Sequence, residues 1–156
     1  MGLRKGKTMI NTKHSTTNYR ALKPFLEAVD ASEGHKHFTS GGYMDLVIEN
    51  LGYTDDKGNP IYSIAHYGEQ NGDLMADPDM EIAVNDGEGR IIPRTFQNDY
   101  MGLFQQVFRE QDGHKVYSPG LLRDLDTFLW QWLQNIENQG FRADETPEEY
   151  EQMTIV

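Results

Sequence analysis

Cysteine is absent from the 156 residues, which removes disulfides, thiol nucleophiles, iron–sulfur clusters and every cysteine-ligated zinc site together. Any metal would have to rest on His and carboxylate ligands. No apolar run approaches the roughly 20 residues that span a bilayer, so a membrane protein is not expected. The basic opening MGLRKGKTMINTKHSTTNYR also lacks the apolar stretch of about 7–15 residues that a secretory signal requires. The cytoplasm is the expected compartment. Catalytic motifs are missing too. Ser32, Ser40, Ser63 and Ser118 lie in no nucleophile-elbow context, and neither Gly-Gly-Tyr nor Gly-Glu-Gly reads as a phosphate-cradling loop that opens a helix. The expectation leans away from an enzyme.

Positive charge is scarce and unevenly placed. Arg4, Lys5, Lys7, Lys13, Arg20 and Lys23 fall in the first 24 residues, where no acid occurs. The other eight bases face all 25 acids over residues 25–156, so this body carries −17 although the chain carries −11. A surface of that sign repels nucleic-acid phosphates and attracts basic protein surfaces. Direct nucleic-acid binding is expected only through the basic arm, residues 1–18, whose Gly, Lys, Thr, Asn and Ser content offers little to bury.

What is present is enough apolar material for one core: hydrophobic residues make up 37% of the chain and aromatics 11%, at a length usual for a single domain. The reading is an α+β domain over residues 19–141 followed by an acidic tail, 142–156. Its mainly antiparallel sheet has about 5–6 strands, covered by a long C-terminal amphipathic helix and a shorter N-terminal one. In YRALKPFLEAVD, Tyr19, Leu22, Leu26 and Val29 keep helical spacing. Pro24 suits a first turn, which predicts a regular helix from about Lys23 to Ala31.

GYMDLVIENLG, 42–52, fits both a helix face and strand alternation. A strand is chosen, because the turn-rich YTDDKGNP and the β-rich IYSIAHY that follow complete a hairpin. Asn71-Gly72 tolerates the positive φ of a type I′ turn. After it, Met80, Ile82 and Val84 alternate with Asp79, Glu81 and Ala83, giving a buried face and an acidic one. RIIPRTF and YMGLFQQVFRE read as extended, and Asp112-Gly113 signals another hairpin. In SPGLLRDLDTFLWQWLQNIENQG, the apolar stripe from Leu121 to Ile136 predicts the covering helix. Ser118 stands at its N-cap, Pro119 in its first turn and Gly140 at its C-terminal end.

The densest chemistry is HYGEQNGDLMADPDMEI, 66–82, with one imidazole and five carboxylates. His66, Glu69, Asn71, Asp73, Asp77 and Asp79 form the candidate functional cluster. In a strand, Asp77, Asp79 and Glu81 line one face about 7 Å apart, and with Asp73 they could offer oxygen ligands to Mg²⁺ or Ca²⁺. The bland alternative is the solvated face of a half-buried strand. His66 and Glu69 could be a base and its orienter, but His66 shares its face with Tyr62 and Ile64, which favours a packed ring. The Pro-Asp…Glu order departs from PD-(D/E)xK nucleases, since Ala83 stands where their lysine belongs. The spacing is not that of an EF-hand. His35 and His37 make an HxH pair without a third ligand in sequence. No cofactor and no resident metal is expected.

GYMDLVIENLG followed by IYSIAHYGEQNGDLMADPDMEI, 61–82, resembles an uncharacterised domain family of bacterial conjugative plasmids, integrative elements and phages. The hallmark string is matched by His66, Tyr67, Glu69, Gln70, Asn71, Gly72, Asp73, Asp77 and Pro78. Phe128, Trp132 and Gly140-Phe141 extend the similarity over most of residues 35–141. The resemblance implies a genomic setting and no mechanism. The expectation is a non-catalytic accessory or protein-binding protein of a mobile element, its partner bearing a basic surface. Two alternatives stand beside it: a DNA mimic that inhibits a host nucleic-acid-binding enzyme, and a divalent-metal module or metal-dependent enzyme using residues 66–81.

Overall fold

The longest strands follow from the alternation around Asn71-Gly72. In the computed structural model, which describes residues 10–144, β3 (Pro60–Gln70) and β4 (Asp73–Asn85) form that hairpin. Asn71 and Gly72 take φ of 54° and 84°, with Gln70 paired to Asp73. These are the mirror-image turn angles that match strand twist. Tyr62 and Ile64 lie across from Ile82 and Met80, and all four are buried. β2 (Leu46–Thr54) pairs with the other side of β3, and β1 (His35–Phe38) lies outside β2. Residues 42–45 precede this strand as turn and coil, so the strand expected over 42–52 begins at Leu46 and continues to Thr54.

RIIPRTF is not one strand but two. Pro93 ends β5 (Arg90–Pro93), the N–H of Arg94 donates to the Glu81 carbonyl, and β6 (Thr95–Asn98) follows. A 3₁₀ turn at Asp99–Met101 then leads to β7 (Leu103–Gln106). The sheet therefore has seven strands, all pairings antiparallel, in the order β1-β2-β3-β4-β6-β7 with β5 also beside β4. β8 (Phe108–Gln111) and β9 (His114–Tyr117) form a separate hairpin through Asp112 and Gly113, both at positive φ.

Two helices cover one face of the sheet. In α2 (Pro119–Asn138) the residues Leu122, Leu125, Leu129, Trp132, Leu133 and Ile136 are buried, which places the apolar stripe against the core. Pro119 opens the helix, Ser118 holds the N-cap place without a side-chain bond, and Gly140 has φ 89°. α1 (Ser15–Asp30) packs on α2, β1, β2 and β5. It starts two turns before the expected Lys23, and Pro24 lies inside it on the exposed side. Its first turn buries Ser15 and Asn18, polar side chains that a hydropathy stripe does not register.

The boundary of the basic arm at residue 18 is corrected accordingly. Residues 15–18 are helix, and just before them Thr12 Oγ1 and the His14 N–H donate to the Asp126 carboxylate at 2.6 and 2.9 Å. The rest of the arm, 1–9, and most of the tail, 145–156, lie outside the described residues.

Candidate functional site

The candidate cluster of residues 66–81 is divided by the sheet that carries it. Opposite Ala65 stands Asp79 and opposite Tyr67 stands Ala76, so His66 faces two residues, Asp77 and Pro78, across a register shift. The Asp77–Pro78 peptide is cis. His66 turns to the helix side and is 8% exposed. Its ring centroid lies 5.5 Å from that of Trp132 and 5.9 Å from that of Phe141. Its Nδ1 is 3.0 Å from the Asp45 carbonyl oxygen; a carbonyl only accepts, so Nδ1 carries the hydrogen. Asp79, paired with buried Ala65, belongs to the opposite face.

The remaining members part company as well. Glu69, Asn71 and Asp73 stand exposed at the hairpin tip, while Asp77 accepts from the Asn98 amide at 3.1 Å. At the sheet edge the rings of His35 and His37 lie 5.1 Å apart, and His37 Nδ1 is 3.6 Å from an Asp45 carboxylate oxygen. Among the described residues no group of three His, Asp or Glu side chains is placed to hold a metal ion.

What the strand register does assemble is a surface on the helix-free face. One cross-strand row runs His35, Glu49, Ser63, Glu81, and the next runs His37, Val47, Ala65, Asp79, Gln97, Phe104. Neither row holds Lys or Arg. Ser63 and Ala65 are small and buried beneath their neighbours, which leaves Glu49, Asp79 and Glu81 around a low floor. Two tyrosines brace this acidic patch: Tyr67 donates its hydroxyl hydrogen to Asp79 Oδ2 at 2.9 Å, and Tyr53 donates to Glu81 Oε1 at 2.7 Å.

The electrostatics follow from placement. Burial pushes the Asp79 carboxyl above its usual range, and Glu81, Asp99 and Glu49 add repulsion that the Tyr67 hydroxyl only offsets. Burial and then the Asp79 charge raise the Tyr67 phenol. Tyr53 is pushed up to about 12, first by burial and then by its bond to Glu81. Both phenols therefore remain protonated donors at neutral pH. They are not bases or nucleophiles, and no imidazole faces them from the centre of the sheet. The patch can hold a proton at Asp79 and can present fixed negative charge to a partner.

Tyr53 and Tyr67 follow a wider pattern. Tyr19 donates to Asp86 at 2.7 Å, and Tyr62 donates to both oxygens of Asp30 at 2.9 and 2.8 Å. Where bases are scarce, phenol hydroxyls satisfy the carboxylates instead. The composition, 25 acids and eight tyrosines, carries a hint of this, but the pairing appears only with the register. Asp126 was equally hidden: an acid inside the apolar stripe of α2, 1% exposed, it holds Thr12 and His14.

No curated protein and no solved structure matches the chain. Residues 17–142 match a family described as a domain of unknown function (DUF6908). That match takes in both helices almost whole and all nine strands described above, and the chain belongs to this family.

Proposed function

We propose that this chain is a non-catalytic binding protein of a bacterial mobile genetic element, and that its helix-free sheet face docks a protein with a basic surface. One observation carries the reading: Glu49, Asp79 and Glu81 meet on adjacent rows that contain no Lys or Arg, braced by Tyr53 and Tyr67. Such a face steers and orients a cationic partner. The separation of His66 from Asp79 by the thickness of the sheet supports a binding role over acid–base chemistry. The mobile-element setting rests on the resemblance of residues 42–82.

The test is capture from a bacterial lysate by the wild-type chain and by Glu49→Gln/Glu81→Gln, both at low salt and near 1 M, where the screening length falls to about 3 Å. The expected result is a basic protein retained by wild type at low salt, released at high salt and not retained by the variant. Equal retention by both chains, or none by either, sinks the reading. Displacement of the captured protein by duplex DNA would narrow it to mimicry of nucleic acid.

A further inference from the structure

On the same helix-free face, where Ile92 pairs with Ala83 two residues along β4 from Glu81, the β8–β9 hairpin, the loop after β2 and β5 line an open cavity of about 450 Å³. That volume is within the range of small-molecule sites, roughly 300–1,000 Å³. Ile92, Phe108, Val116 and Tyr117 supply apolar wall. Four cations, Lys57, Arg94, Arg109 and Lys115, line the same cavity against three acids, Asp55, Asp56 and Glu110. In a chain with 14 bases and a net charge of −11, this is an unusual concentration of positive charge.

Two of the three acids are already engaged. Asp55 accepts from the N–H groups of Lys57 and Asn59 and from the Asn59 amide, closing its own loop. Asp56 pairs with Lys115 at 2.6 Å. Arg94 forms no close ion pair among the described residues, although its charge also acts on Asp56 and Tyr53; its guanidinium lies 4.8 Å from the Phe108 ring centroid. A guanidinium over an aromatic ring is held by its charge and still has N–H donors to offer a planar anion. The side chains of Lys57 and Arg109 likewise form no ion pair among the described residues.

We propose that this cavity binds a small organic carboxylate with an aromatic or aliphatic body, its carboxylate on Arg94 and Arg109 and its body on Ile92, Phe108 and Val116. An apolar wall beside a guanidinium without a close ion pair selects for both halves of such a ligand. Neither a bare inorganic anion nor a neutral hydrocarbon fulfils both. The site adjoins the acidic face, since the Arg94 N–H bonds the Glu81 carbonyl, but its ligand does not depend on the reading given to that face.

The probe is 1-naphthoate, with the uncharged 1-naphthalenemethanol as its control, titrated into the full chain by calorimetry and by amide NMR. Naphthoate is expected to bind saturably and to shift the amides of Ile92, Phe108 and Val116. The alcohol should bind at least about tenfold more weakly, and Arg94→Gln should lose about tenfold or more, as expected for a charge-assisted pair. Arg123→Gln, on the exposed side of α2, should leave the affinity unchanged. Should Arg94→Gln melt early, the exposed Arg109→Gln decides, again by weaker binding. Glu49→Gln, two strands away from Arg94, should bind naphthoate as wild type does, which keeps this site distinguishable from the acidic face. Lack of saturable binding, equal affinity for the alcohol, indifference to the arginine substitutions, or shifts confined to other residues would overturn the proposal.

Discussion

Asp79 ties proton binding to folding with a sign that its neighbour Asp99 reverses. Burial raises the Asp79 carboxyl, so between its unfolded and folded pKa values the folded chain binds the extra proton. The stability it contributes is fully present below the unfolded value and is lost as pH rises through the folded one. Asp99 lies lower than usual, because the Gln97 amide and the Ala76 N–H bond its ionised form. Its contribution is present above the unfolded value and is lost as pH falls. Urea unfolding from pH 3 to pH 7 checks both. Relative to wild type, Asp79→Asn should gain stability as pH rises, whereas Asp99→Asn should lose it. Parallel pH curves for wild type and Asp79→Asn would show that the carboxyl is not coupled to folding.

Asp126 poses a different residue-scale question, since its carboxylate is buried and bonded by Thr12 and His14. Its loss would leave a half-buried hydroxyl and an N–H without their acceptor. With about 1.5–3 kcal/mol for a hydrogen bond to a charged group, Asp126→Ala should cost about 2–4 kcal/mol in urea unfolding. Exposed Asp124→Ala, two residues away, should stay within about 0.5 kcal/mol. The stacked rings of His14 and Trp130, 4.5 Å apart, belong to the same junction, so the loss should also loosen the start of α1 in amide exchange.

At the scale of elements, the hairpin turn isolates backbone conformation from packing. Gly72 has φ 84°, and a Cβ there would meet no heavy atom within 4 Å. Gly72→Ala should therefore cost about 1–2 kcal/mol purely for placing an L side chain in left-handed backbone, read as a lower urea midpoint with an unchanged slope. This turn was legible because Asn-Gly leaves few other conformations, and α2 was legible because Pro119, the apolar stripe and Gly140 agree. Less could be read where polar groups are buried or strands shift register. Ser15 and Asn18 hide the true start of α1, and the irregularity opposite Asp77-Pro78 separates His66 from the carboxylates beside it in sequence. Likewise the row Glu49–Ser63–Glu81 joins three strands, so alternation within one strand indicates an acidic face without revealing what completes it.

For the whole molecule, charge works against compactness. The net charge is −11, and the ion pairs among the described residues lie mostly at exposed side chains, where each contributes about 0–1 kcal/mol. Asp30, Asp79, Glu81 and Asp86 are satisfied through tyrosine hydroxyls, which are short-range bonds and survive screening. Long-range repulsion does not survive it: the Debye length falls from about 30 Å at 0.01 M salt to about 8 Å at 0.15 M. Salt should thus remove more repulsion than attraction, and the thermal midpoint should rise over that interval by a few degrees, each kcal/mol being worth about 2–4 °C at this chain length. Calorimetry at neutral pH in NaCl measures the shift. Glu49→Gln/Glu81→Gln should begin with a higher midpoint at low salt and gain less from NaCl, because it removes two charges from a single cross-strand row beside Asp79. A midpoint that falls with salt would mean that attractive pairs dominate the fold, and would remove the electrostatic ground for assigning the sheet face to a basic partner.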